Sequence, residues 1–178
     1  MSHWKIIPAR PDTWYFVTLT IVEWVRIFDD PDCSEIFLAS LRFCQKNKDL
    51  HIAAYVIMPT HVHMILRSPN LSGVLRDLKA HTSRQLIRQL RKWKKSKALA
   101  IFRRAAVFEG KGNAYKIWAE GNHPVALENS DRFMSRLKYV HNNPVRKGYV
   151  ETPEQWKFSS ARNYLSGDQS VLQVECIH

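Results

Sequence analysis

Cysteine is scarce in this chain, and the few that occur are widely spaced. There are three, Cys33, Cys44 and Cys176, with no CxxC pair among them. This pattern argues against a disulfide framework and against a zinc site built from thiolates, and it predicts a cytoplasmic protein. Long apolar runs are also missing. No stretch of about 18 apolar residues occurs, so no transmembrane helix is expected. The N-terminal segment lacks the unbroken apolar run that is typical of a signal peptide.

Acidic residues are few relative to basic ones. Asp and Glu total 16 against 27 Lys and Arg, which gives a formal net charge of +11 and a pI near 9.8. Such a surplus attracts polyanions, nucleic acid first and an acidic membrane surface second. The sequence has no amphipathic terminal helix and no lipidation motif, so nucleic acid is the favoured partner. With 45% hydrophobic residues over 178 positions, one folded domain with a full core is expected.

Hydrophobic periodicity predicts strands and helices in the order β-α-β-β-α-β-α. The strands are expected at 14–22, 51–58, 61–67 and 114–119, and the helices at 34–47, 71–95 and 128–142. Pro144 is expected to end the last long helix, with Asn143 at its very end. One further short helix is expected after residue 150. The order predicts an α+β fold, namely a ferredoxin-like antiparallel sheet with helices packed on one face.

Two histidines alternate with apolar residues in the third predicted strand. Residues i and i+2 of a strand share a face, so His61 and His63 point the same way while Val62 and Met64 point to the other side. Two neutral imidazoles on one face can bind a divalent cation and leave coordination positions open for phosphate oxygens. The alternative is that the two histidines simply lie on a solvated strand face.

Tyr139 lies off the apolar stripe of the last long helix. On a helical wheel it is about 130° from the centre of the stripe formed by Phe133, Leu137 and Val140. If the final turn stays helical, Asn143 shares its face, because residues i and i+4 are neighbours. One interpretation is a surface tyrosine near a helix end. The other is a phenol nucleophile with an amide oxygen beside it.

A basic segment without any acidic residue extends from Arg84 to Arg104. It could be a solvated helix face or a surface that binds phosphate. As a phosphate-binding surface, it makes eight residues candidates for contact with DNA. They are Arg84, Arg88, Arg91, Lys92, Lys94, Lys95, Arg103 and Arg104.

Several segments of the chain resemble a known family. YVIMPTHVHMIL (Tyr55–Leu66) and YVHNNPVRKGYV (Tyr139–Val150) resemble motifs of the REP-associated tyrosine transposases, within the HUH single-tyrosine transposase superfamily. IWAEGNHPV (Ile117–Val125) and WKFSSARNYL (Trp156–Leu165) extend the resemblance over most of the chain. One position departs from the pattern, since Thr60 stands where asparagine is expected.

The resemblance implies a metal-dependent endonuclease and transposase that cleaves and rejoins single-stranded DNA next to hairpins of repetitive palindromic elements. Carried onto this chain, it implies that Tyr139 forms a 5′-phosphotyrosine intermediate. His61, His63 and Asn143 would hold Mg²⁺ or Mn²⁺. Because Asn143 precedes Pro144, its side chain is the less secure ligand.

Two alternatives to this function remain open at the sequence level. One is a non-catalytic nucleic-acid-binding protein of the same fold. The other is an HUH replication initiator or relaxase, many of which use paired tyrosines, although Tyr149 is separated from Tyr139 by Pro144 and Gly148.

The resemblance also implies where the protein works and how it is organised. We expect a transposase domain over residues 1–150, with 151–178 as a tail of the same domain. The protein is expected to act in the bacterial cytoplasm at the nucleoid, as a monomer or a homodimer.

Overall fold

A four-stranded antiparallel sheet forms the centre of the molecule. The computed structural model describes residues 12–121 and 123–177, so the segment without a signal-peptide pattern lies largely outside the described residues. The strand order is β2-β3-β1-β4. The strands are β1 (Tyr15–Thr20), β2 (His51–Met58), β3 (His61–Arg67) and β4 (Val125–Ala126).

Five helices connect and cover the strands. They are α1 (Pro31–Asn47), α2 (Leu71–Lys92), α3 (Ser96–Glu109), α4 (Ser130–Arg146) and α5 (Ala161–Ser166). Side chains in the sequence mark several of their starts. The carboxylate of Asp30 and the amides of Asn70 and Asn129 each accept a hydrogen bond from a backbone N–H in the first turn of α1, α2 and α4. Among the described residues, no helix is long and apolar enough to cross a membrane.

The α+β class and the antiparallel sheet are confirmed, but the helices lie on both faces of the sheet rather than on one. Helices α1 and α2 pack on the face that carries Leu19 and Val62, and α4 packs through Leu137 and Val140 on the face that carries Val56. The physical reason is that β2 and β3 are buried along almost their whole length on both sides, so each face needs its own cover.

The segment predicted as the fourth strand, 114–119, contributes only an isolated bridge from Trp118 to Ile21. The chain leaves the edge of β1 and returns to it at Val125, opposite Phe16. Pro124 lacks an N–H and interrupts the pairing just before this return.

Two helix C-termini differ from the sequence prediction. The helix expected over 71–95 ends at Lys92, because Lys94 adopts a left-handed conformation with φ of 55° and the chain starts again as α3. The helix expected to stop before Pro144 continues to Arg146. A proline in the last turn removes one N–H donor, and here the helix tolerates that loss.

The C-terminal segment returns to the sheet beside β2. The backbone N–H groups of Ile57 and Glu175 donate to the carbonyls of Phe158 and Ile52, and the indole of Trp156 donates to the carbonyl of Ile57. These contacts place the segment after α4 against the edge of the sheet. The short helix predicted in this segment forms as α5.

Candidate active site

His61 and His63 lie together on the face of β3 that α4 covers. The period of two predicted this shared face, and the two ring centroids are 4.7 Å apart. His63 is buried, with 6% of its surface exposed, and pairs across the sheet with Thr18 on β1 and Val56 on β2. The pair therefore sits at a seam between the sheet and a helix rather than on a solvated face.

A threonine hydroxyl holds each imidazole at its Nδ1 atom. Nδ1 of His63 is 2.8 Å from Oγ1 of Thr18, and Nδ1 of His61 is 2.9 Å from Oγ1 of Thr60. A ring that donates from Nδ1 keeps the lone pair on Nε2 for a ligand, and such partners orient metal-binding histidines. Thr60, which departs from the family motif, is thus a partner of His61.

Both imidazoles are kept neutral by their surroundings. Burial, aided by His61 and Arg136, lowers the pKa of His63 to about 3. Burial, with a smaller contribution from Lys147, also lowers the pKa of His61. Neutral rings are the form that can coordinate a cation, so neither histidine has to lose a proton at neutral pH before it binds one.

Tyr139 approaches this pair from α4. Its hydroxyl is 3.4 Å from Nε2 of His63, and its ring makes edge contacts with His63 at 5.2 Å and with Phe16 at 5.9 Å. Phe16 in turn stacks on His63 at 5.4 Å. The tyrosine is therefore half-buried beside the histidines, with its hydroxyl directed at them.

Asn143 lies one helical turn after Tyr139, because α4 remains helical through Pro144. Its side chain is buried, with 4% exposed, and its Oδ1 has no hydrogen-bond partner among the described residues. No group of three or more His, Cys, Asp or Glu residues suited to a metal occurs in the described part of the chain. A metal here would instead use two imidazoles and an amide oxygen, and an amide oxygen kept without a partner suits that donor set.

The predicted basic surface does not join the histidine pair. Helices α2 and α1 pack on the opposite face of the sheet, and α3 follows α2. All eight candidate side chains are exposed, but three make contacts within the protein. Arg104 forms an ion pair with Glu23 at 2.8 Å, while Arg91 and Arg103 contact the ring of Tyr115.

Five of the eight basic candidates are exposed and make no such contact with residues in the described ranges 12–121 and 123–177. They are Arg84, Arg88, Lys92, Lys94 and Lys95. Arg84 also lines a cavity of about 950 Å³ between α2 and the segment that follows α3. The basic surface is thus a feature of α2 and of the turn after it.

Tyr149 is not paired with Tyr139 at the histidine pair. Its hydroxyl accepts a hydrogen bond from Arg26 at 3.0 Å, and its ring packs 5.4 Å from Trp156. The site has one tyrosine at the histidine pair, which is not the paired arrangement of many initiators and relaxases.

Sequence reasoning missed Thr18 and Phe16 as parts of the site. Both lie in β1, and both reach the histidines only because β1 pairs with β3 in a particular register. The alternation of β1 was visible in the sequence, but its register against a strand more than 40 residues away was not.

Comparison with known proteins identifies the family. The model of the transposase IS200-like family matches residues 12–106, which is more than half of the chain. The chain belongs to this family of transposases. The matched range includes both histidines and ends before Tyr139, so the position of the tyrosine rests on the geometry described above.

Two individual proteins are similar to this transposase. A Haemophilus influenzae protein with the provisional name REP-associated tyrosine transposase is 23% identical over 150 residues, which cover 82% of this chain and 78% of that protein. A solved structure of a REP-associated tyrosine transposase bound to a REP hairpin superimposes with a TM-score of 0.67 at 18% identity, and the match covers 100% of both chains. The resemblance seen in the sequence motifs is thereby confirmed, and the structural match shows the shared fold.

Proposed function

We propose that this transposase cleaves and rejoins single-stranded DNA beside a hairpin through a covalent tyrosine intermediate. One observation carries the proposal: the hydroxyl of Tyr139 lies 3.4 Å from Nε2 of His63, within a single chain. The imidazole beside this phenol is neutral, and the same helix carries, one turn later, the amide oxygen of Asn143, which has no partner among the described residues.

In this reaction Tyr139 Oη attacks the scissile phosphorus, and the bond from phosphorus to the 3′-oxygen breaks. The phenol proton passes to solvent, and the leaving oxygen takes up a proton to become a 3′-hydroxyl. The 5′-phosphotyrosine retains the energy of the phosphodiester, so a new 3′-hydroxyl can reverse the step and join another strand. Phe16 and His63 hold the tyrosine ring by edge contacts and thereby limit the directions from which its hydroxyl can attack.

HUH transposases generally depend on a divalent metal. In this chain Nε2 of His61, Nε2 of His63 and Oδ1 of Asn143 are the atoms that would hold Mg²⁺ or Mn²⁺. When bound, the metal supplies Lewis-acid polarisation of a phosphate oxygen. The threonines fix the ring orientation of the two histidines, which keeps both Nε2 atoms available.

The DNA would contact the basic surface of α2 in addition to the site at Tyr139. The exposed cations of α2 and of the turn after it would contact phosphates without reading sequence, as phosphate contacts do. The hairpin preference is inferred from the structural relative, which is bound to a REP hairpin. We further propose a single domain in which residues 151–178 complete residues 1–150, acting at the nucleoid in the bacterial cytoplasm.

The test is a covalent-capture experiment. The purified protein is incubated with a labelled single-stranded hairpin oligonucleotide and Mn²⁺, and the products are separated on a denaturing gel. A labelled band at the mass of protein plus DNA is expected for the natural chain and not for Tyr139→Phe, while both should bind the oligonucleotide with similar affinity. Tyr149→Phe is the matched control and should keep the band. Binding without any covalent band in the natural chain would leave a non-catalytic DNA-binding protein instead.

A further inference from the structure

Helix α4 carries a row of positive charges on the same side as Tyr139. On a helical wheel Arg136 lies about 60°, Arg146 about 20° and Lys147 about 80° from the tyrosine. Lys138, next to Tyr139 in sequence, lies on another side of the helix, about 100° away in the opposite sense. The cations therefore form a row that runs along the tyrosine side of the helix, beside the buried stripe.

Two of these cations converge on the tyrosine itself. The guanidinium of Arg136, one turn before Tyr139, is 5.9 Å from the centre of its ring, and that of Arg146, two turns after it, is 5.6 Å away. Arg136 also lies 4.8 Å from the ring of Phe16, which stacks on His63. Both guanidiniums thus approach the same phenol from opposite ends of the helix.

These charges are not neutralised within the described part of the protein. There, the ion pair of α4 joins Arg132 to Glu128, at the start of the helix. No carboxylate is found within ion-pair distance of Arg136, Arg146 or Lys147 in residues 12–121 and 123–177, and all three side chains are exposed. Two like charges drawn to one ring repel each other. The cation–π contacts offset this by only about 0.5–1 kcal/mol each at an exposed site.

The row also reaches the histidine pair. Arg136 lies close enough to His63, and Lys147 close enough to His61, for their charges to disfavour protonation of those rings. A surface where cations surround two neutral imidazoles and a phenol is complementary to a polyanion that crosses it. Arginine suits this task because its planar fork can bind two phosphate oxygens at once.

We propose that Arg136 and Arg146 bind the phosphates on either side of the one that Tyr139 attacks. The cleaved strand then lies along α4, on the face of the sheet opposite to the basic surface of α2. This inference rests on the proposed function. The inference adds to the proposed function a path for the DNA strand along α4. It also adds two substrate-binding residues that hold the scissile phosphate in line with the phenol.

The experiment compares three variants that each remove one positive charge from α4: Arg136→Gln, Arg146→Gln and Lys138→Gln as the matched control. After the cleavage position is mapped with the natural chain, hairpin oligonucleotides are made with a single neutral methylphosphonate at each neighbouring phosphate in turn. The rate of covalent adduct formation is measured at saturating DNA, and affinity is measured in parallel by fluorescence anisotropy. Thermal unfolding checks that each exposed substitution leaves the fold intact.

Loss of one charge-assisted contact should slow adduct formation or weaken binding by about 10- to 100-fold in Arg136→Gln and Arg146→Gln. Lys138→Gln should stay within about twofold of the natural chain, as expected for an exposed charge without a direct contact. Each arginine penalty should disappear on the one oligonucleotide whose methylphosphonate removes the phosphate that this arginine binds. Arg136→Lys and Arg146→Lys should fall in between, because they keep the charge and lose the fork.

Penalties equal to that of Lys138→Gln, or penalties that do not depend on which phosphate is neutralised, would overturn the inference. If the natural chain forms no adduct with any hairpin, the proposed function fails. Affinity, measured on oligonucleotides that each carry one methylphosphonate at a different phosphate along the strand, then still decides whether each arginine binds one particular phosphate.

Discussion

Four buried side-chain polar atoms lack a hydrogen-bond partner among the described residues, and one of them belongs to the helix of Tyr139. The other three belong to Ser34, Tyr55 and Arg67. Oδ1 of Asn143 is sequestered beside Pro144 without a hydrogen-bond partner among the described residues. Leaving such an atom unpaired costs about 1–3 kcal/mol. In natural proteins an ion or another ligand that binds the atom is one established reason for keeping it unpaired. We therefore expect that the unpaired oxygen of Asn143 lowers the stability of the protein and is kept because it binds a ligand.

Asn143→Leu should therefore separate stability from metal binding. Removing the unpaired amide with a side chain of similar volume should raise the free energy of unfolding by about 1 kcal/mol. Mn²⁺ binding should weaken in the same variant, because the substitution removes one of the three proposed ligand atoms. Urea denaturation measures the first effect, and electron paramagnetic resonance of free Mn²⁺ measures the second.

Asn142→Leu is the control for this prediction. Asn142 is exposed, and its amide donates to the carbonyl of Lys138 at 2.9 Å. The control should show no gain in stability and no change in Mn²⁺ binding. If Asn143→Leu is instead less stable than the natural chain, the amide holds structure and is not reserved for a ligand.

The sequence allowed prediction of those site residues whose position depends on one element alone. The period of two in β3 placed His61 and His63 on one face, and the wheel of α4 placed Tyr139 off the core stripe. Thr18 depends on the pairing of two distant strands, and no local pattern reveals that register. Thr60 appeared only as a departure from a motif until its hydroxyl was seen beside Nδ1 of His61.

At the scale of the element, α4 carries Tyr139 on one side and is fixed to the C-terminal segment on another. His141 mediates the second contact. Its Nε2 is 2.8 Å from Oγ of Ser160, and that hydroxyl also bonds the backbone of Tyr55 in β2. The ring lies in a T-shaped contact with Tyr164. This histidine therefore links the helix of Tyr139 to the sheet through the C-terminal segment.

His141 should make the stability of the protein depend on pH. Burial lowers its pKa to about 4, whereas an unfolded histidine titrates near 6.5. Below pH 6.5 the unfolded chain binds a proton that the folded chain does not, so stability falls as the pH falls toward 4. Between pH 7 and pH 5 this single group should cost about 2 kcal/mol.

The measurement is the free energy of unfolding in urea at pH 7 and at pH 5 for the natural chain and for His141→Gln. The difference between the two pH values should shrink by about 2 kcal/mol in the variant. His63 is also buried and neutral, so some dependence on pH should remain. His81 is exposed on α2, and His81→Gln should leave the difference unchanged. An unchanged difference in His141→Gln would show that its ring is accessible to protons in the folded state.

Element boundaries were predicted well where one strong local signal exists and poorly where signals compete. β2 and β3 match their predicted ranges, because both are short segments rich in apolar residues and the turn at Pro59 and Thr60 separates them. Helix α3 was not predicted, because the high positive charge of residues 94–104 was interpreted as a surface for phosphate, although the segment also contains residues that favour a helix. Helix α4 continues past Pro144 to Arg146, since a proline in the last turn costs less than one in the helix interior.

At the scale of the whole molecule, the two layers of helices on the single sheet carry different functional features. Helices α1 and α2 close the core on one face and present exposed cations on α2. Helix α4 covers the other face and supplies the tyrosine. This division could not be predicted from periodicity, because strands that are buried on both faces do not indicate which helix covers which face.

The same architecture bears on whether the active unit is a monomer or a homodimer. Helix α4 starts four residues after β4 ends, and a connection of three residues spans only about 10 Å. After α4 the chain returns to its own β2, where Ser159 forms a bridge with Val56. Because both ends of α4 are tied to its own sheet, the tyrosine of one chain meets the histidines of that same chain.

We therefore expect that two differently inactivated chains cannot restore each other. Tyr139→Phe supplies intact histidines and His63→Ala supplies an intact tyrosine, and an exchanged helix in a dimer would rebuild a complete site from the mixture. The two proteins are given different masses by a tag, mixed, partially unfolded and refolded together, and then incubated with labelled hairpin and Mn²⁺. No covalent band should form at either mass.

A control mixture contains natural chain and Tyr139→Phe. It should give a band in proportion to the natural chain, which controls for inhibition by the variant. A band at the mass of the His63→Ala chain would mean that its tyrosine has reached the histidines of a partner, and the site would then belong to a dimer.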